Sequence, residues 1–216
     1  HPNIDKDIYF VVASVTHKQT IKNILPRRLV LTMRPQQEEQ MFGMKRYGYL
    51  GIGHSCANMA YQLAYVLGHK NIVFIGQDLA FAPDGKSHAT GHAFAQADEN
   101  IFVKAYGGVG EVRTTYVWTL FKNQFENDIA QSSLEGIKSY NCTEGGARIE
   151  GTIERPFVDV MEELCKGKKA KTLPNIRKDS ETTINKNLLK AYEVIRIKVK
   201  IQSKVKHQIE KVFLDV

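Results

Sequence analysis

Gly51-Ile52-Gly53-His54-Ser55, followed after one helix length by Asn71-Ile72-Val73-Phe74-Ile75-Gly76, is the stretch whose reading decides the fold. The glycine pair breaks the chain. From His54 onward Cys56, Ala60, Leu63, Ala64 and Leu67 recur at helical spacing, and Gly68 supplies the stop. The uninterrupted apolar run that follows reads as a buried strand. With a strand before the turn, the order strand, glycine turn, helix and strand predicts a parallel βαβ arrangement with a right-handed crossover. Upstream, Ile8–Ser14 and Arg28–Met33 are short β-branched runs with polar or Pro-containing flanks, and each predicts another buried strand.

Beyond Gly76 the periodicity lapses. Residues 77–113 are rich in Gly, His, Asp and Lys, and a long irregular segment inside a compact domain is where lids and binding loops occur. The glycines of Tyr106-Gly107-Gly108-Val109-Gly110 lack a phosphate-binding spacing and read as hinges of a mobile loop. Thr114 or Thr115 is placed to cap a helix that buries Trp118, Phe121 and Phe125, and Ser139–Cys142 predicts a further strand. Pro156 opens a helix with Phe157, Val160, Met161 and Leu164 on one face and Gly167 at its end. Residues 185–213 predict a long basic helix whose stripe of Leu188, Tyr192, Ile195, Val199 and Ile209 needs a partner, either this core or a missing domain. The expectation is an α/β fold with a mostly parallel sheet flanked by helices. Its domains are expected at 1–167, short of its N-terminal part, and at 168–216, a basic linker and C-terminal helix.

With 216 residues, 43% hydrophobic and 25% charged, the chain can bury one substantial core. No apolar run is long enough to cross a bilayer. The opening His1-Pro2, without Met, basic n-region or apolar h-region, is expected to be a fragment's start and no signal peptide. Cys56, Cys142 and Cys165 stand far apart with no C-x-x-C pair, which argues against a disulfide framework or a cysteine zinc site and for a reducing cytoplasm. The net charge of +7 gathers between Lys166 and Lys211, without interleaved aromatics, and so reads as a solvated helix face and not as a nucleic-acid surface.

In an open parallel sheet, ligands collect where strands end and helices begin. Gly53 and Ser55, leading into a helix, offer backbone N–H groups and a hydroxyl to a phosphate or carboxylate, or else a tight turn and a cap. Gly76-Gln77-Asp78 closes an apolar strand, and Asp78 there is suited to a metal, a ribose hydroxyl or a substrate amine, its alternative role being to cap the next turn. Lys86, His88 and His92 crowd one polar segment. Lys86 would neutralise phosphate oxygens and either histidine would act as general acid or base, while Gly91 and the lack of a third ligand speak against a metal site. Thr143, Glu144, Gly145 and Gly146 follow a strand and form either an N–H cradle or a plain turn.

Taken together, Gly76-Gln77-Asp78-Leu79-Ala80-Phe81, Asp84-Gly85-Lys86-Ser87-His88-Ala89 and Asn141-Cys142-Thr143-Glu144-Gly145-Gly146-Ala147-Arg148-Ile149 resemble the motility accessory factor family, over roughly residues 8–164. The resemblance implies a Rossmann-like, sialyltransferase-like domain. Its implied activity is transfer of a CMP-activated nonulosonic acid, of the pseudaminic or legionaminic type, to Ser or Thr of flagellin. The same superfamily contains pterin pyrophosphokinase-like enzymes, so the strings mark a nucleotide-using scaffold. On the transferase reading Asp78 or His88 is the base, and Lys86 with the N–H groups near Ser55 and Gly145 receives the departing phosphate. That reading requires no cofactor beyond the CMP-sugar donor, and leaves a divalent metal and homo-oligomerisation open. The rivals are an ATP- and Mg2+-dependent pyrophosphokinase, with Asp78 or Glu144 holding the metal, and a non-catalytic flagellin-binding module that uses the C-terminal helix.

Overall fold

A computed structural model of the chain describes residues 8–24, 28–43, 48–85, 99–167 and 179–214. Backbone contacts group them into two compact units, His1–Leu50 with Ala170–Val216, and Gly51–Lys169. The linker expected at the start of 168–216 falls at residues 168–178, outside the described residues.

In the first unit, β1 (Tyr9–Ala13), α1 (Lys18–Ile24) and β2 (Arg28–Thr32) form a parallel βαβ unit, with Tyr9 opposite Arg28 and Ala13 opposite Thr32. After the short α2 (Gln37–Gln40) the chain returns to the sheet, where Met33 and Tyr49 make a parallel bridge and the Leu50 N–H donates to the Met33 carbonyl at 2.9 Å. Val12, Ala13, Met33 and Leu50 are buried.

The second unit contains the decisive stretch. Ser55 caps α3 (Cys56–Val66), which leads into β3 (Asn71–Phe74) as its spacing predicts. The ladder partner of β3 is β6 (Lys138–Asn141), parallel and in register from Asn71 with Lys138 to Phe74 with Asn141. The parallel crossover therefore joins β3 to a strand nearly seventy residues on. Beside β6 lies β7 (Ile153–Glu154), also parallel.

Alternation along β3 sends its side chains to opposite faces. Phe74 and Ile72 join Tyr61 of α3 and Phe125 and Ile129 of α4 (Tyr116–Ser133) in one cluster, where the Tyr61 and Phe74 rings stack at 5.6 Å and Phe125 meets Phe74 edge-on at 5.0 Å. Val73 turns the other way and packs with Tyr140, Cys142 and Val160, the last from α5 (Phe157–Leu164). Helices thus cover both faces of a parallel sheet, the α/β architecture expected. The Tyr61 hydroxyl, carried into the core, is satisfied by the hydroxyls of Ser132 at 2.7 Å and Ser139 at 2.9 Å.

Two local expectations are corrected. The segment read as irregular contains an antiparallel hairpin, β4 (Ile101–Lys104) paired with β5 (Glu111–Thr114), and the glycines taken as hinges form the connection between its strands. Trp118 and Phe121, expected in the core, are only half-buried; the buried face of α4 is Phe125, Asp128, Ile129 and Ser132. Last in the chain, α6 (Glu181–Leu214) is a single long helix on which Leu188, Tyr192, Ile195, Val199 and Ile209 remain exposed. No helix among the described residues is long and apolar enough to cross a membrane.

Candidate functional site

Two loops meet at the carboxyl ends of β3 and β6. The loop after β3 is Gly76-Gln77-Asp78-Leu79, and the loop after β6 is Thr143-Glu144-Gly145-Gly146. Asn141, fully buried at the end of β6, accepts through Oδ1 from the Thr143 N–H at 3.1 Å, and the Thr143 hydroxyl accepts from the Gln77 N–H at 3.1 Å. The Ala147 N–H then donates to the Asp78 carbonyl at 2.7 Å. Gly146 runs so close to the Asp78 backbone that no Cβ would fit there.

The same segment is held from its other side by the hairpin. The Thr114 hydroxyl donates to the Leu79 carbonyl at 2.6 Å, and the Phe81 N–H donates to the Arg113 carbonyl at 2.8 Å. Residues 78–81 are therefore clamped between the β6 loop and β5. Among the described residues, the non-glycine residues with left-handed backbone are Leu79 (φ 48°) and Glu144 (φ 61°), one in each of the meeting loops. Such strain persists only where the surroundings over-determine the conformation, and it concentrates at ligand sites.

Over these loops opens a cavity of about 1560 Å³. Gly76, Gln77 and Asp78 line it, with Gly145 and Gly146 beside them and Ser55, Cys56 and Ala57 at the start of α3. The hairpin and α4 contribute Glu111, Arg113, Trp118 and Phe121. Asp78 is exposed to this space, and its carboxylate makes no hydrogen bond or ion pair among the described residues. A carboxylate so placed is available to accept a proton from a bound hydroxyl.

The other expected site residues divide. Gly76, Gln77, Ser55, Gly145 and Gly146 converge on the cavity with Asp78. The Ser55 hydroxyl is nevertheless engaged, accepting from the Asn58 N–H at 3.1 Å and donating to Asn58 Oδ1 at 2.8 Å. Gly53 acts behind the wall: with φ at 54°, its absent Cβ leaves room for the Asn58 side chain. Thr143 ties the loops together. Glu144 points its carboxylate at α5, where Oε1 accepts from the Phe157 N–H at 3.0 Å and satisfies an otherwise orphaned donor of the first turn. Lys86, His88 and His92 lie outside the described residues.

Arg113, Trp118, Phe81 and Phe121 were not anticipated at the site. Their apolar or mixed character matches a core equally well, and only the cavity distinguishes a wall from a core. Among the described residues, no group of three or more His, Cys, Asp or Glu side chains is arranged to hold a metal ion.

Residues 2–84 match the family model of the MptE-like proteins, described as 6-hydroxymethylpterin diphosphokinase MptE-like. The match takes in Gly76–Phe81 and agrees with the pterin pyrophosphokinase-like branch that the sequence strings implied. No curated protein and no solved structure matches the chain.

Proposed function

We propose that this chain, related over residues 2–84 to the MptE-like diphosphokinases, is the donor-binding part of a glycosyltransferase. Its reaction is transfer of a nonulosonic acid from a CMP-activated donor to a Ser or Thr hydroxyl of flagellin. The observation that carries this reading is the position of Asp78, exposed and lining a large cavity where two motif loops close on the ends of parallel strands. A volume above the roughly 300–1,000 Å³ of drug-sized pockets leaves room for a nucleotide-linked sugar together with an acceptor hydroxyl.

In the proposed step Asp78 takes the hydroxyl proton as the acceptor oxygen bonds to the anomeric carbon. The bond from that carbon to the phosphate oxygen breaks on the opposite face, and CMP leaves with the electron pair. Gly145 and the start of α3 line the cavity, and their backbone N–H groups are the donors for the developing phosphate charge, where preorganised donors are most effective. Lys86 and His88 are further candidates for that charge and that proton.

The second reading is an ATP-dependent diphosphokinase acting on a hydroxymethylpterin, and the family match favours it. Asp78 and Glu111 are carboxylates among the described residues that line the cavity, where a Mg2+–ATP complex would need such oxygens. Intact-mass analysis of flagellin after incubation with the full-length protein and a CMP-nonulosonate, with and without chelator, separates the two. A nonulosonate-sized increment is the expected result. No increment from folded protein, together with AMP release from ATP and a hydroxymethylpterin, would establish the second reading instead.

A further inference from the structure

Phe81 is the last residue of the clamped segment, buried at 8% exposure, and it carries two neighbours on its ring. The Arg113 guanidinium carbon lies 4.1 Å from the ring centroid, and the Trp118 ring lies tilted at 58° with centroids 5.0 Å apart. Arg113 and Trp118 are half-buried, and all three residues line the cavity. The wall they make stands three residues along the chain from Asp78, so one segment supports both. Arg113 is the one cationic side chain among the described lining residues, against the carboxylates of Asp78, Asp84 and Glu111. An anionic ligand entering the described cavity therefore has one side chain to pair with, and beside it an indole suited to a flat ring.

We infer that Phe81, Arg113 and Trp118 form the subsite for the planar heterocycle and attached phosphate of the substrate, the ring stacking on Trp118 and the guanidinium donating to phosphate. The inference rests on the proposed use of a nucleotide-linked donor and assigns its base to the wall of Phe81 and Trp118, with Arg113 joining the backbone N–H groups of the same cavity at its phosphate. Phe81 serves as a positioning residue, its ring face holding the guanidinium carbon at 4.1 Å. A guanidinium presents a planar fork of donors to phosphate, which a lysine cannot reproduce.

Trp118 is the chain's only tryptophan, so its fluorescence reports on this wall alone. CMP, cytidine, ATP, 6-hydroxymethylpterin and inorganic phosphate are titrated into the full-length protein, with binding followed by calorimetry and by Trp118 emission in parallel. The expected result is saturable quenching by CMP, weaker binding of cytidine, and no quenching by inorganic phosphate. R113A and R113K should each weaken CMP binding by about ten- to a hundredfold, with R113K guarding against a folding defect in R113A. W118F should keep the fold and lose the signal.

Calorimetric binding of CMP without quenching, and unchanged in both Arg113 variants, would overturn the subsite while leaving glycosyl transfer intact. Quenching by ATP or the pterin but not by CMP would uphold the subsite and remove the CMP-sugar donor. Failure of every heterocycle to bind folded protein would overturn the subsite and the reading beneath it, and the flagellin mass then shows whether any transfer remains.

Discussion

A Cβ on Gly146 would stand 2.6 Å from Asp78 Cα and 2.8 Å from its carbonyl carbon, distances at which backbone, not a flexible side chain, has to move. Gly146 also holds φ at 72°, where an L side chain is strained irrespective of space. G146A should therefore cost on the order of 3 kcal/mol in stability and displace Asp78, so that denaturant unfolding and transfer fall together. A variant that unfolds like the parent would show that the loops do not meet as described.

Asp78 presents the opposite case. Because its carboxylate holds no partner among the described residues, D78N should leave the unfolding free energy within about 0.5 kcal/mol of the parent. Loss of a general base should lower turnover by about 10²- to 10⁴-fold. Thermal melts and single-turnover transfer on the same preparation check both, and undiminished turnover would remove Asp78 from the chemistry.

From sequence Ser55 reads either as a phosphate-binding group or as a helix cap, and its hydroxyl is occupied by Asn58 on both its donor and acceptor sides. S55A should lower stability by about 1 kcal/mol, the ordinary cost of losing a cap. Its KM for the donor should stay near that of the parent; a large rise in KM at unchanged stability would return Ser55 to the binding site.

For Glu144, the cap on the Phe157 N–H needs only an acceptor oxygen, which glutamine also provides. E144Q should melt close to the parent and retain transfer, whereas E144A should lose about 1 kcal/mol. Abolished transfer in E144Q would mark the carboxylate as a reacting group.

The cysteines report on two environments. Burial, and then the charge of Glu144, push the Cys142 thiol above its ordinary range, with Arg155 opposing. A raised value means the folded state favours the neutral thiol, so the stability this contributes is present at low pH and is lost as pH rises through the folded-state value. With iodoacetamide at about pH 8, Cys142 should react slowest and the exposed Cys56 and Cys165 faster. Cys56 lines the cavity, so CMP should protect it and leave Cys165 unaffected; peptide mapping by mass spectrometry measures all three.

Long periodic elements were legible in the sequence. The spacing from Cys56 to Leu67 and the apolar run from Asn71 gave α3 and β3, and Pro156 with Val160 and Leu164 gave α5. The hairpin was not, because four-residue strands interrupted by Lys104, Glu111 and Arg113 carry too little alternation to rise above loop composition. Strand partnership was hidden as well: nothing in β3 specifies that its neighbour is β6, since both faces of a parallel strand are apolar. Asp78 stood out as an acid at the end of an apolar strand. The part played by Glu144 depended on α5 starting thirteen residues later, a tertiary fact without a local signal.

The pairing of β3 with β6 also governs the order in which the protein is assembled. A chain emerging from the ribosome displays Asn71–Phe74 and Asp78 well before residues 138–147 exist to pair with and seat them. During that interval β3 is an apolar strand without the one ladder partner it has among the described residues, open to chaperones or to another nascent chain. A truncation ending near residue 84 would keep the matched family segment and its aspartate, yet would hold that interval open permanently.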